Sequence, residues 1–398
     1  EVAPGTGGQV FLNLGPLRIN DADQVAFFAT FEPVGVGTSG IFIGFPGGST
    51  QKVAAVGDVA PGTGGGTFRD FALIGFNNLG QVAFVSNING GTSPRAAFIG
   101  TPSLVSSVVA VGDPAPGTVG TFASLPGPGG FFLNGAGDLA FRTNVANDPS
   151  VGNGIWIGSA SSPPQKLVVN SDPTGTPLGG NFDGGITLRG FNTAGHVLFQ
   201  SNPSGATSPH ALFLKDLTNP AQVVFAAGQS APGGTTETFD RTQFAFLNEL
   251  GGVAFLTSLQ GGPARFGWFQ GSGASAPVKV ALEGDATPVG GTFGIAGELF
   301  AAAGQFTNTG RLAFFADVLG PNAIGTFLWT PGSGIASVVN TDDTLPPGAN
   351  PVIRTFMPGA SDDALAFFAF KTGGRAAWFT KPLGGAGGIT RIFGEGDA

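Results

Sequence analysis

The chain contains no cysteine and no tyrosine. Without cysteine there can be neither disulfides nor thiolate metal sites, and the compartment has to be argued from other features. Charge is scarce as well. Asp, Glu, Lys and Arg make up 11% of the 398 residues, against roughly 25% in soluble domains. The formal net charge is -8, the isoelectric point is about 4.7, and no Lys/Arg cluster occurs. Recognition of a phosphate backbone needs a basic footprint, so nucleic acid is not an expected partner. The apolar runs are short and strand-like, far below the roughly 20 residues of a spanning helix, so no membrane span is expected. No window shows a capped 3.6-residue apolar period, and almost no helix is expected. Asn202-Pro203-Ser204 has the proline that blocks N-glycosylation.

Glycine (70), proline (30) and phenylalanine (38) are abundant. Gly and Pro at this level approach a low-complexity composition, yet disordered chains lack the aromatic and β-branched residues needed to bury surface. Hydrophobic residues reach 41%. Gly and Pro fall in recurring clusters with Phe, Val and Ile between them, which reads as punctuation between strands.

The clusters repeat. Gly57-Asp58-Val59-Ala60-Pro61-Gly62-Thr63-Gly64 returns as Gly112-Asp113-Pro114-Ala115-Pro116-Gly117-Thr118. Looser copies stand at Ser171-Asp172, Gly228 to Gly233, Gly284-Asp285 and Asp342-Asp343, and both chain ends carry pieces of the same linker. An apolar-Ala-Phe step after an Asn-x-x-Gly turn places Phe27, Phe84, Phe141, Phe199, Phe255, Phe314 and Phe367 at equivalent positions. A third marker is the Phe opening each repeat: Phe11, Phe68, Phe122, Phe182, Phe239, Phe293 and Phe356. Three markers give seven copies of about 57 residues, which is blade-like.

In the second copy, alternation and turn chemistry predict strand A over Thr67 to Phe76, an Asn77-to-Gly80 turn, and strand B over Gln81 to Ile88. Strand C is predicted over Ala96 to Gly100 and strand D over Ser106 to Val111. The seventh copy reads alike, around Phe356 and over Ala364 to Phe370, Ala376 to Thr380 and Thr390 to Phe393. A small sheet that is apolar on both faces must be covered on both sides. A closed stack does this, so the expected fold is all-β: a seven-bladed β-propeller with four antiparallel strands per blade, as one domain. The blades are expected at about 1–57, 58–112, 113–171, 172–228, 229–284, 285–341 and 342–398, contiguous in sequence, with the last packing on the first. A pair of β-sandwiches gives no reason for a strict repeat.

The Gly-Asp-x-Ala-Pro-Gly-Thr linkers at Gly57 to Thr63 and Gly112 to Thr118, and the hairpins at Asn77 to Phe84 and Asn248 to Phe255, resemble an uncharacterised group of exported bacterial propeller proteins. The resemblance runs along the whole chain. It implies export and the propeller, supplies no catalytic residues, and leaves open the mode of surface attachment, because the sorting tail common in that group does not follow Ala398. The start at Glu1 within a repeat motif is what a mature product would show after removal of a leader, so a secreted or cell-surface location is expected.

Several residues invite chemistry. His196 and His210 share one repeat, but His196 fills a slot held by Gln24, Gln81, Asp138 and Arg311 elsewhere, and His210 one held by Arg95 and Gly154. Surface substitution is the expectation for both, rather than a metal pair. Asp58, Asp113, Asp172, Asp285, Asp342 and Asp397 recur once per blade, which speaks for a structural role such as bonding backbone N–H groups two residues on. Asn20-Asp21-Ala22-Asp23 looks like the start of a calcium loop but lacks its later Gly and Glu; a calcium site assembled from several loops stays an alternative. Asp70, Asp183, Asp240, Glu237, Glu249 and Glu298 are the carboxylates from which a sugar-cleaving pair would have to come. Trp156, Trp268, Trp329 and Trp378 all fall in strand C, where packing is expected. Gly271-Ser272-Gly273 reads as loop composition rather than a nucleophile elbow.

The leading functional expectation is a non-enzymatic secreted scaffold or interaction protein. Its neutral surface would contact protein partners, including copies of itself, in a cell-surface layer or extracellular filament. The alternatives are a carbohydrate-active enzyme acting on cell-surface polysaccharide with a carboxylate pair, and a calcium-dependent or small-ligand binding module.

Overall fold

The computed structural model describes all residues except 33–37, 274, 295–303, 321–323, 342, 346–351, 372–375, 384–387 and 395–398; for 353–358, 371, 393 and 394 only the backbone is described. The chain forms a seven-bladed β-propeller. Seven antiparallel sheets follow one another in sequence order, each with its strands in the order A-B-C-D. The one helical element among the described residues is the 3-10 turn Pro128–Gly130.

Blade 2 shows how the sequence sets the strands. Strand B is Val82–Asn89, strand C Arg95–Thr101 and strand D Leu104–Ala110, close to their predicted spans. The predicted single A strand is instead two pieces, Thr67–Phe68 and Ala72–Phe76. The interruption holds Asp70, whose carboxylate accepts the Asn87 backbone N–H at 2.9 Å and the Asn87 amide at 2.7 Å, replacing ladder bonds between A and B. Blade 3 divides its A strand in the same way, into Thr121–Ser124 and Phe131–Leu133. Blade 7 keeps the predicted spans almost unchanged, at Ala364–Lys371, Ala376–Pro382 and Thr390–Gly394.

By internal packing the chain divides into two compact units, residues 1–207 with 215–221 and residues 208–214 with 222–398. Within each, the core lies between neighbouring blades. In blades 1, 2, 3, 5 and 6 the opening Phe, the strand B Phe and the strand C aromatic form one cluster. In blade 2, Phe84 stacks on Phe98 at 5.4 Å and Phe68 meets Phe98 edge-on at 4.9 Å. In blade 3, Phe122, Phe141 and Trp156 repeat the arrangement. This aromatic face packs on the apolar face of the preceding blade: Phe68, Phe84 and Phe98 on Ile41, Ile43 and Val53, and Phe293, Phe314 and Phe327 on Leu256, Trp268 and Val280. Edge-on and offset ring pairs of this kind contribute about 0.5–1.5 kcal/mol each beyond their burial. The four Trp residues follow the same logic. Trp156 is fully buried and donates to the Pro116 carbonyl at 3.0 Å, Trp268 stacks on Phe246, Trp329 joins the core of blades 5 and 6, and Trp378 packs against Phe368.

Candidate functional site

In blade 2, Val82 at the start of strand B pairs with Gly100 near the end of strand C, so the A–B and C–D turns share one end of the sheet. The A–B turns carry a recurrent device. The Asn77 side-chain oxygen accepts the N–H groups of Leu79 at 3.1 Å and Gln81 at 3.0 Å, closing the turn that Gly80 completes at φ +72°. Its amide then donates to the Asn134 carbonyl of the next blade at 3.1 Å. Asn20 does the same to Asn77, Asn134 to Asn192, and Asn248 to Thr307. One buried side chain thus satisfies its own hairpin and clasps the next. In blade 6 the slot holds Thr307, whose hydroxyl still accepts the Arg311 N–H. Its clasp to blade 7 comes instead from Arg311, which donates to the Asp362 and Leu383 carbonyls, and from Asp362, which accepts the Thr309 N–H and hydroxyl.

The acidic linker residues have a structural role, with a geometry other than the one anticipated. The Asp58 carboxylate accepts the N–H of Ala55, three residues back, at 2.8 Å, where strand D ends. Asp113, Asp172 and Asp285 repeat this toward Ala110, Val169 and Leu282, and Gln229 substitutes its amide oxygen toward Ala226. In the sixth linker Asp343 accepts the Asn340 N–H at 2.7 Å. Asp342 and Asp397 lie outside the described residues. In blades 1, 3 and 5 a strand D lysine adds an ion pair, Lys52–Asp58, Lys166–Asp172 and Lys279–Asp285, at 2.9–3.1 Å.

Four of the candidate carboxylates, Asp70, Asp183, Asp240 and Glu237, accept hydrogen bonds. Asp183 accepts the Gly184 N–H and the Asn170 amide, and Asp240 accepts the Ser258 hydroxyl. Glu237 is 3% exposed and accepts the N–H groups of Thr235, Thr236 and Ala264. Burial on its own would raise its pKa, but the hydrogen bonds of Ala264, Glu237, Thr236 and Thr235 outweigh that and hold it down to about 2. Glu249 lies in the blade 5 turn, where its N–H donates to Asn308 Oδ1. Glu298 lies outside the described residues. Asp21 is held by the Asn78 amide at 2.7 Å, and Asp23 takes the left-handed turn position at φ 56°, so this segment forms a hairpin end. Among the described residues no group of three His, Asp or Glu is placed to hold a metal ion.

The two histidines have different surroundings. His196 is a turn residue whose Nε2 lies 3.8 Å from Asp216. His210 is no surface residue: it is 6% exposed, its Nε2 accepts the Thr242 N–H at 3.1 Å, and Thr242 Oγ1 lies 3.0 Å away. It therefore ties blade 4 to blade 5, as Arg95 ties blade 2 to the Pro126 carbonyl of blade 3.

The concavities among the described residues include two between neighbouring blades. A cleft of about 440 Å³ lies between blades 5 and 6, bordered by the turns at Asn248–Gly252 and Asn308–Gly310 and the C–D hairpin around Ser272–Ser275. Its lining is uncharged: amides of Asn248, Gln270 and Asn308, the Ser272 and Ser275 hydroxyls, and the exposed apolar side chains Leu250 and Val278. A second pocket of about 230 Å³ lies between blades 3 and 4 and carries Lys166, Asp172 and Lys215. Lys215 escaped the reading of the sequence. The signal was nonetheless present, because the residue two beyond the strand C aromatic is Gly44, Gly100, Gly158 and Gly271 in four other blades.

The repeating sheets and their clasped turns define the class: a β-propeller whose blades are near copies of one unit. Within that class the chain belongs to a family of unknown function (DUF7453), matched over residues 1–175 and 191–377. No protein of curated function matches it. Similar solved structures include the BP39L lectin from Burkholderia pseudomallei, at 13% identity over 94% of this chain and 96% of that one with a TM-score of 0.42. The polysaccharide lyase Uly1 is 10% identical over 90% and 86%, with a TM-score of 0.40. A post-proline cleaving enzyme from Rickettsia typhi is 10% identical over 92% and 50%, with a TM-score of 0.38. Lectin and enzymes stand side by side here, and fold does not decide function.

Proposed function

We propose that this chain is an exported, non-catalytic interaction protein that uses the turn-bearing end of its blades to meet a neutral surface, either another protein or an extracellular polysaccharide. One observation carries the reading. Four of the six carboxylates from which a hydrolase or lyase pair would come, Asp70, Asp183, Asp240 and Glu237, accept hydrogen bonds from their own blades, while the residues lining the cleft between blades 5 and 6 offer amides, hydroxyls and apolar side chains without charge. Catalytic acid–base groups need pKa values near the working pH, and Glu237 is held far from it. Amide and hydroxyl groups beside apolar walls suit neutral partners, which are bound by shape and hydrogen bonding rather than by steering. Export is supported by the linker and hairpin resemblance and by the low charge.

The test pairs light scattering at high protein concentration with retention on immobilised, purified envelope polysaccharides. Self-association or retention is expected, and Gln270→Ala with Leu250→Ser should weaken it about tenfold. A strictly monomeric protein retained by no polysaccharide sinks the proposal. Release of new reducing or unsaturated ends from any polysaccharide would overturn the non-catalytic part.

A further inference from the structure

The slot two residues beyond the strand C aromatic explains its own glycine. A Cβ at Gly100 would lie 2.9 Å from Val53 Cγ1, and one at Gly158 would lie 3.0 Å from Val108 Cγ1, so strand C here runs against strand D of the preceding blade. Blade 4 breaks the pattern with Lys215. Its side chain stands beside the one strand D, in blade 3, that also contributes a lysine, Lys166, to the same pocket. In blades 1 and 5 the corresponding pairs Lys52–Asp58 and Lys279–Asp285 are followed in the next blade by Gly100 and Trp329. In blade 7 the slot holds Lys381, but the preceding strand D has Ser337 where blade 3 has Lys166. A lysine in the strand C slot and the recurrent strand D lysine therefore coincide at the junction of blades 3 and 4.

The two ammonium groups of this pocket hold unused hydrogen-bond donors. Both Asp172 oxygens are engaged, one by Lys166 and one by the Val169 N–H. The Thr174 hydroxyl donates to the Gly179 carbonyl. Asp216, beside Lys215, turns its carboxylate onto the N–H groups and side chains of Thr218 and Asn219. The ammonium groups are less occupied. Lys166 donates to Asp172, and Lys215 donates to the Asp216 and Asn219 carbonyls, yet each carries three N–H donors. The unused capacity on the two lysines is therefore donor, although Asp172 and Asp216 balance their charge. Burial lowers the Lys215 pKa, Asp216 and Asp172 offset this, and the Lys166 charge adds to the lowering. An anion between the two lysines would relieve both effects. The stem of Lys166 is held in place because it lies against Gly117, where a Cβ would come within 2.9 Å of Lys166 Cδ.

We propose that the junction of blades 3 and 4 is a binding site for a small carboxylate, of the size of a single uronic acid residue, whose acid group bridges Lys166 and Lys215. This site is separate from the neutral cleft of blades 5 and 6, and either can fail without the other.

The chain has six lysines, so the ¹³Cε signals of protein labelled with ¹³C-lysine can be assigned one by one by substitution. Titration with sodium glucuronate should move the Lys166 and Lys215 signals together in a saturable manner, leaving Lys52 and Lys279 in place. Acetate should do so more weakly, and glucose not at all. Lys215→Gly and Lys166→Ser install residues that the repeat already uses at these slots, so both variants should fold, with unchanged circular dichroism. Each should weaken glucuronate binding by about tenfold or more, and raising the salt should weaken it in the parent. Overturning results are glucuronate shifts that never saturate, equal shifts on Lys52, or affinity unchanged in Lys215→Gly.

Discussion

Glu237 shows what a single departure from the repeat can do. In blade 2 the linker closes through the Thr63 hydroxyl, which donates to the Ala60 carbonyl. Blade 5 has Gly234 at that place and Glu237 where blade 2 has Gly66. The carboxylate gathers the loop's backbone N–H groups instead. Its folded pKa, about 2, lies below the ordinary 4.5, so the charged form is favoured by folding. The stabilisation is complete above about pH 4.5 and fades as the pH falls toward 2. We expect Glu237→Ala to lower stability at pH 7 by about 1–3 kcal/mol, the cost of leaving buried donors unmatched. The gap between parent and variant in urea unfolding should narrow steadily from pH 4.5 to pH 2. A gap that stays constant over that range would show that the loop does not depend on the charge.

At the scale of the element, the hairpin is where local and long-range order meet. Asn77 performs two separable tasks, and the repeat itself offers the residue that separates them. Ser361 closes the corresponding turn of blade 7 by accepting the N–H groups of Asp363 and Ala364. Asn77→Ser should therefore keep the blade 2 hairpin but lose the bond to the Asn134 carbonyl, at a cost of about 1 kcal/mol. Asn77→Ala, which also strands the turn's N–H groups, should cost about twice that. Hydrogen exchange distinguishes the two: in the Ser variant the Leu79 and Gln81 amides stay protected, and only the Ala variant exposes them. Equal exchange in both would sink the division of tasks. Strands, turns and aromatic clusters were legible in the sequence because alternation and Asn-x-x-Gly chemistry are local. Partners one blade away were not: that Asn77 reaches Asn134, or that Asp70 replaces ladder bonds in a divided A strand, depends on how sheets stack. His210 was misjudged for the same reason, because its slot is exposed in the linear pattern and only the adjoining strand buries it against Thr242. Lys215 lay between these cases, visible as an exception to a glycine column but given meaning only by Lys166 across the junction.

At the scale of the whole molecule, low charge is the governing property. A net charge of -8 spread over 398 residues gives weak mutual repulsion at neutral pH, and little else in the composition opposes contact between copies. Apolar groups are also available for contact: the first A strand, Val10–Ile19, exposes Leu12, Leu14, Leu17 and Ile19 on a β-edge, with Leu14 at 68%. Contiguous exposed apolar surface of this sort marks contact sites. As the pH falls from 7 toward the isoelectric point near 4.7 the net charge approaches zero, and the repulsive term fades while the apolar term is unchanged. Static light scattering should therefore show the apparent mass rising through this range. Added salt at pH 7 should produce part of the same rise, because it screens the repulsion. Leu14→Ser with Leu17→Ser should weaken the share of the association that uses this edge, beside any share at the cleft of blades 5 and 6, and leave its pH midpoint in place, since the substitutions remove attraction and not charge. If the apparent mass is flat down to the isoelectric point, the neutral surface is inert toward its own copies, and a partner of different chemistry must be what the turn-bearing end of the blades receives.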